Sequence, residues 1–347
     1  MEKMIHSIWH DSVDTKVGFS NSQLERFCDD QYAKLDSKLG YRRIPWFFWT
    51  SEVYGIGRGI RKYCGYPWWL PLPIYSDHSI CTLGEPEPHE VVNPANIHLT
   101  WFGRRKLSLM HKINKKLVKI PFPWLSLMNT KPLNKTRKGT IAFFPHSNEG
   151  IELENFVVSD YFQSLKNLPA AYHPLTVCLH THDVRKGLHK ELRRYGLPLV
   201  TVGTNASVFF PDRFFDLVDQ YEYATSPVGG SELFLSTVAG LKFFLLGKMP
   251  KYMSVGHSQH AMGEIKFDHD ILAVEVEKSK LELFSDMSFD KIGAQNNFCR
   301  EILGMDNLSM KPTALKRLLL MEMAKQTPRY ILRILQLSLK KAIRSLK

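Results

Sequence analysis

From Thr140 to Leu246 the chain alternates short apolar runs with stretches of helical spacing, and this rhythm constrains its fold more than any other feature. Thr140–Pro145 (TIAFFP), Leu175–Leu179 (LTVCL), Leu197–Val202 (LPLVTV), Tyr223–Ser226 and Phe243–Leu246 read as buried strands. Glu152–Leu165, Val184–Tyr195, Asp212–Gln220 and a segment after Gly229-Gly230 read as the helices between them, the second closed by Gly196 and the last by Gly240. Strands and helices of these lengths make βαβ units, so the expected structure is a parallel sheet covered on both faces. Such sheets bind ligands beyond the C-terminal ends of their strands. His146, Ser147, Asn148, Gly203, Thr204 and Gly229 fall at those ends.

The last βαβ unit, ATSPVGGSELFLSTVAGLKFFLLG over residues 224–247, adds chemistry. Two glycines precede a helix opened by Ser231 and Glu232. A helix start carries partial positive charge and unpaired N–H groups, which suits a phosphate. Glycine lets a ligand approach the backbone closely. Ser231 or Glu232 would then reach a sugar or ribose hydroxyl. The plainer reading is a helix that needs a cap, with Glu232 favoured in the first turn by the helix dipole.

The first half reads differently. A polar helix is expected from Asn21 or Ser22 to Leu39, a buried strand at Trp46–Trp49, a helix over 52–63 and a strand over Leu70–Tyr75, followed by Ser76-Asp77-His78-Ser79. Trp101-Phe102 suggests a third strand. Residues 104–119 suggest a basic helix with Leu107, Met110, Ile113 and Leu117 at helical spacing. Pro121–Gly139, rich in Pro and Lys, is the best interdomain linker. The expected domains are therefore 1–135, 136–310 and a helical tail over 311–347, interrupted near Pro328.

Charge is unevenly placed. The net charge is +12, yet residues 104–138 hold 11 Lys/Arg and no acid, and residues 311–347 hold 10 Lys/Arg against Glu322 alone. The remainder is acidic on balance, so particular faces are basic and an acidic partner is implied. In the tail, Ile331, Leu335, Leu339, Ala342 and Leu346 recur at helical spacing while Arg333, Lys340, Arg344 and Lys347 gather elsewhere. A helix of this kind lies in a headgroup layer, or docks on its own protein by the same stripe. Five scattered cysteines without a CxxC pair argue against a zinc site or disulfide framework. The acidic N-terminus lacks a signal-peptide core, and no run approaches a membrane span. A cytoplasmic protein, peripheral on the inner membrane face, is expected.

The order of these elements resembles the GT-B glycosyltransferases of bacterial surface polysaccharide synthesis (capsule and O-antigen enzymes) and the related CDP-glycerol glycerophosphotransferases. The resemblance rests on the aromatic-rich first half, the basic linker, the Gly-Gly-Ser-Glu helix and the closing G-x-x-F-x-x-x-G of Gly240–Gly247, over roughly residues 40–250. It implies two Rossmann-like domains facing a cleft, with the nucleotide-sugar held by the second. It implies that Gly229, Gly230, Ser231 and Glu232 form the donor-phosphate helix. It also matches His78 to a histidine that faces sugar or acceptor, with Ser79 where a glycine is usual.

A metal-independent glycosyl transfer is expected, on the reading that the chain lacks an Asp-x-Asp motif to hold a divalent cation on a diphosphate, and it needs a base, a seat for the leaving diphosphate and a means of holding the sugar. Asp77 or His78 is the expected base, against a reading as a polar turn after a strand. Ser147 and Thr204 would assist at the diphosphate, and Arg185 or Lys186 would add charge unless they simply face solvent. His180, His182 and Asp183 form an HxHD string that is read as a strand-end loop in preference to a metal site. His173-Pro174 resembles a short sialyltransferase motif but precedes its strand. The expected partners are a nucleotide-sugar donor as substrate, a lipid-linked or oligosaccharide acceptor, and an anionic membrane surface met by residues 329–347, with no cofactor, metal or nucleic acid. The rivals are a polyol-phosphate transferase using a CDP donor, a sugar-nucleotide epimerase, an inactive scaffold on this fold, and a non-catalytic membrane- or nucleic-acid-binding protein. The last would need aromatics interleaved with the basic runs, and Tyr330 alone meets that in residues 104–119 and 329–347.

Overall fold

The structure, a computed structural model, describes residues 18–37, 55–77, 80, 86, 88–92, 95–128, 137–147, 150–204, 207–255, 263–264 and 271–345. For residues 30–37, 88–89, 108, 263–264 and 329–345 the description is of backbone alone. The expected strand at Trp46–Trp49 and the candidate base His78 lie outside the described residues.

The chain is a mixed α/β structure. In order its elements are α1 (Asn21–Ser37), α2 (Ile56–Cys64), β1 (Tyr75–Ser76), α3 (Pro88–Val92), β2 (Ile97–Thr100), α4 (Gly103–Leu109), β3 (Lys116–Lys119), β4 (Thr140–Phe143) and β5 (Ile151–Glu154). There follow α5 (Val158–Lys166), β6 (Leu175–Leu179), α6 (Thr181–Arg185), α7 (Leu188–Leu192), β7 (Leu199–Thr201), α8 (Phe210–Val218), β8 (Tyr223–Ser226), α9 (Ser231–Val238) and β9 (Lys242–Leu245). The chain continues through β10 (Lys251–Ser254), β11 (Gly263–Glu264), α10 (Ile271–Phe284), α11 (Ile292–Ile302) and α12 (Pro312–Ser345).

The larger sheet has five parallel strands in the order β7-β6-β4-β8-β9. Its apolar runs are buried almost throughout, as a sheet covered on both faces requires. The chain starts at the central β4, steps outward through β6 to β7, then returns to β8 and steps the other way to β9. The direction reverses between β4 and β8, so their C-terminal ends flank a natural crevice.

One expected helix divides here. Residues 152–165 give β5 and then α5 instead of one helix. Ile151 and Leu153 alternate with Glu152 and Glu154 at the two-residue period of a strand, and β5 pairs antiparallel with β10.

A three-stranded parallel sheet, β1-β2-β3, forms from the first half. The basic 104–119 segment is a second departure. Only α4 is helical; the chain turns at Leu109–Lys115 and Lys116–Lys119 pairs with β2 as an edge strand. Val118 and Ile120 are buried there, whereas Leu107 and Met110 are exposed. Pro71 and Pro73 lack ladder donors, which shortens the expected 70–75 strand to Tyr75–Ser76. The third strand precedes Trp101-Phe102, both of which are buried just beyond it. Pro328 lies within α12, whose helical course continues past it.

The small sheet lies wholly before residue 135 and the large one wholly after it, but the chain crosses over at both ends. Phe19 N–H donates to Leu199 O at 2.8 Å, Arg193 Nε donates to Asn21 Oδ1 at 3.0 Å, and Leu24 and Cys28 are buried. The first described helix thus clasps the large sheet. Conversely Phe122 N–H donates to Leu303 O at 2.8 Å, Lys119 pairs with Asp306, and Asn96 Nδ2 donates to Glu322 Oε1 at 2.6 Å. The stretch from Leu303 to Glu322 thus clasps the small sheet. Between the sheets, Arg58 pairs with Asp212, and Trp124 meets Phe210 and Phe214 at ring separations of 5.5 and 6.1 Å.

Candidate functional site

A cavity of about 430 Å³ opens at the C-terminal ends of β4, β6, β7 and β8. Its walls are mainly Ile56, Ile80, Phe122 and Trp124 from the first half and Phe143, Phe144, Phe210 and Phe214 from the second. Polar groups gather at one end: His146, His180, Ser226, Gly230, Ser231 and Glu232. An apolar cavity with a few convergent polar groups at a sheet switch point is the usual form of a small-molecule site.

Local sequence explains each polar position. The β4 strand stops at Phe143 and the extension through Pro145 delivers His146. The β6 strand ends at Leu179, and His180 becomes the N-cap of α6. Its Nδ1 accepts from His182 N–H at 3.3 Å, and Asp183 accepts from His180 N–H at 3.3 Å, which closes a reciprocal capping pair. The HxHD string is therefore a helix start. After β8, Ser226 Oγ accepts from Val228 and Gly229 N–H at 3.1 and 3.3 Å and shapes the turn into α9.

The imidazoles of His146, His180 and His182 form a row, with ring centroids 4.4 and 5.0 Å apart. His146 keeps an exposed face, yet the protein atoms crowded around its ring desolvate it and hold it below the ordinary imidazole value against the pull of the Glu232 carboxylate. His180 is held well below it by burial and by its two histidine neighbours. Both rings are therefore neutral at neutral pH. Because His180 Nδ1 is an acceptor, its proton resides on Nε2, which makes that atom a donor. Asp183 goes the other way. Burial raises it to about 7, opposed by bonds from Ser147 and His180.

The expected donor residues separate into two groups. Gly230, Ser231 and Glu232 line the cavity. Gly230 N–H donates to Glu232 Oε1 at 2.8 Å, so the carboxylate caps the helix start from within the cavity. Gly229 has φ +61°, and a Cβ there would meet Leu233 Cδ1 at 2.8 Å and Leu245 Cδ2 at 2.9 Å. Side chains of the protein approach Gly229, where a ligand was expected. Ser147 lies behind the wall, its Oγ accepting from Lys186 Nζ at 3.0 Å and facing Asp183 Oδ1 at 3.5 Å. Thr204 is fully buried, its carbonyl accepting from Arg213 at 3.4 Å, and it is not on the cavity wall. His173-Pro174 sits at the start of β6, away from the end that meets the cavity.

Asp77 lies in a different place altogether. It is fully buried and accepts from His98 Nε2 at 2.7 Å and Thr100 Oγ1 at 2.6 Å, with Arg105 Nε at 3.2 Å. Arg105 also donates to both Glu90 oxygens at 2.8 Å. Burial alone would raise the Asp77 carboxyl; Arg105, His98 and Thr100 outweigh it and hold the group below its ordinary value. A sequestered, paired carboxylate cannot reach a substrate hydroxyl in the cavity, so Asp77 does not fit the expected role of base. Asp77, Glu90 and His98 have ligand atoms within 4.8 Å of one another, a spacing that suits a metal, but the Arg105 guanidinium already supplies positive charge to both carboxylates. The expected lack of an Asp-x-Asp motif is mistaken: Asp268-His269-Asp270 has the spacing that holds a divalent cation on a diphosphate, and it lies outside the described residues.

Sequence reasoning placed His146 at a strand end without assigning it a role, and it missed the aromatic wall. The clue to the wall is that Phe122, Trp124, Phe210 and Phe214 flank predicted element boundaries, where packing between halves concentrates. Among the described residues no helix is long and apolar enough to cross a membrane. No protein-family model matches the chain, and no curated protein matches it.

Proposed function

We propose that the chain is a glycosyltransferase of GT-B type that binds a nucleotide-sugar in this cavity and passes the sugar to a lipid-linked or growing glycan. The observation that carries the reading is the convergence of the α9 start with His146 and His180 at the β4/β8 crevice, in a cavity that Ile56, Ile80, Phe122 and Trp124 of the first half also line. The positive end of α9 and the His180 Nε2–H receive the leaving diphosphate. Glu232, now on Gly230 N–H, turns to a ribose or sugar hydroxyl and frees that N–H for phosphate. His146 replaces Asp77 as the described candidate base: neutral and open to the cavity, it takes the acceptor hydroxyl proton. The acceptor oxygen bonds to the anomeric carbon as the bond to the diphosphate breaks, and the electron pair leaves with the nucleotide. The reaction is proposed to need no metal, and the enzyme to work on the cytoplasmic face of the membrane, where its acceptor is anchored.

The test is thermal unfolding with UDP, GDP, CDP and CMP. Ligand at about a hundred times its Kd stabilises by about 2.7 kcal/mol. One nucleotide diphosphate raising the midpoint in the parent, and not in Gly230→Leu, supports the reading. A response to the cytidine nucleotides alone, CMP included, would move it to the polyol-phosphate rival, whose transfer of a polyol phosphate leaves CMP. Silence from all four would defeat it.

A further inference from the structure

We infer that Trp68 and Trp69, together with the first turns of α12, form a contact surface for an anionic lipid bilayer. The two indoles are 83% and 67% exposed, in a protein that buries Trp101 and Trp124. Large exposed aromatics side by side mark an interaction site. The loop that carries them is braced: Tyr66 Oη donates to Pro71 O at 2.9 Å, Arg61 donates to Leu70 O at 3.0 Å, and Leu70 N–H donates to Pro67 O at 3.3 Å. The backbone is thus tied inward while the indoles face out.

The surroundings choose the partner. Gly65–Tyr75 (GYPWWLPLPIY) carries no charge and, apart from its tyrosines and indoles, no hydrogen-bonding side chain. A glycan platform needs polar side chains for sugar hydroxyls, and none is supplied here. Cations lie at both margins. Lys62 is exposed at the end of α2, and residues 311–321 hold Lys311, Lys316 and Arg317 with no acid. The two segments are neighbours: α12 packs on α2, Tyr63 Oη donates to Met310 O at 2.7 Å, and Lys316 Nζ lies 3.8 Å from where a side chain on Gly65 would begin. On α12, buried Leu315 and Leu319 face the protein, and exposed Met321 lies among exposed Arg317 and Lys325. Amphipathic indoles beside basic side chains suit the headgroup region of an anionic leaflet.

Geometry relates this surface to the cavity without joining them. Ile56, at the start of α2, lines the cavity, and Gly65 caps the other end of that helix. Nine residues of helix hold the two sites about 14 Å apart. Bilayer contact would present the cavity close to, but outside, the headgroups. The inference stands independently of the proposed transferase activity and of the tail residues 329–347.

The experiment is co-sedimentation of the full chain with vesicles of phosphatidylcholine alone, or with a quarter phosphatidylglycerol. The parent is expected to prefer the anionic vesicles by at least tenfold. Trp68→Ser/Trp69→Ser should lose at least tenfold in binding and most quenching of tryptophan emission by brominated lipid. Lys316→Glu/Arg317→Glu should abolish the phosphatidylglycerol preference. Because the indoles are exposed, the serine variant should keep the parent's unfolding midpoint and nucleotide response. Undiminished binding of the serine variant, or no binding by the parent, would overturn the inference. So would Trp-dependent self-association without vesicles in sedimentation velocity, which would make the surface a protein interface.

Discussion

The cluster around Asp77 and the polar end of the cavity are built from the same materials and come to opposite ends. Each brings imidazole and carboxylate groups together near the C-terminal ends of parallel strands. In the first, Arg105 lies between Asp77 and Glu90, every member is buried, and both carboxylates are engaged by protein groups. In the second, His146, His180 and Glu232 meet an open space, and no arginine stands among the described residues lining it. A set of ionisable groups whose carboxylates are engaged from within the protein serves the structure. A set that is incomplete awaits a ligand.

The comparison breaks most easily at Arg105. Arg105→Met leaves two buried carboxylates without their counter-charge, and urea unfolding should show a loss of about 3–5 kcal/mol. A loss below about 1 kcal/mol would mean that the cluster is not closed in the sense argued. The cavity should answer in rate instead. His146→Asn should lower kcat/KM for donor turnover by about a hundredfold while leaving stability within about 1 kcal/mol. An unchanged rate would remove His146 as base. The parent's rate should fall on acidification with a midpoint below 6.5, because partial desolvation by the protein around His146 disfavours the protonated ring.

A subtler test uses Asp183, raised from 3.8 to about 7. Between those values the folded protein binds a proton that the unfolded chain has released, so this group's contribution to stability declines as pH rises from about 4 to 7 and is level beyond. The difference in unfolding free energy between parent and Asp183→Asn should fall across that window by on the order of 1–3 kcal/mol. A difference that stays flat would place the proton elsewhere. His146 and His180 act in the opposite sense, losing stability as pH falls below 6.5, so the difference measurement is needed to isolate Asp183. The smallest expected effect is chelation. EDTA should leave turnover within about twofold, and a strict requirement for added magnesium would draw Asp268 and Asp270 into the site.

The large sheet was legible because its strands are buried on both faces and therefore apolar throughout, and because glycines mark the helix ends. The start of α9 was legible for the same reason. The small sheet was harder. Its strands are two to four residues long, and Lys116–Lys119 shows a helical stripe only because Ile113 and Leu117 happen to continue one from α4. Asp77 was misread because a carboxylate after a strand looks the same in sequence whether it faces a cavity or an arginine 28 positions downstream. Gly229 and Gly230 are adjacent letters, yet one is packed by Leu233 and Leu245 and the other lines the cavity. Such distinctions arise from pairings distant in sequence, which local pattern does not carry.

The crossed clasps at the two ends have a consequence for how the molecule comes to exist. As the chain leaves the ribosome, its first described helix waits for its partners around Leu199 to emerge, and the edge at Lys119–Phe122 waits for Leu303–Glu322. The half that is made first is therefore finished last. Cutting the gene between the two sheets would yield two fragments, each lacking a piece carried by the other, and only their co-expression would restore both.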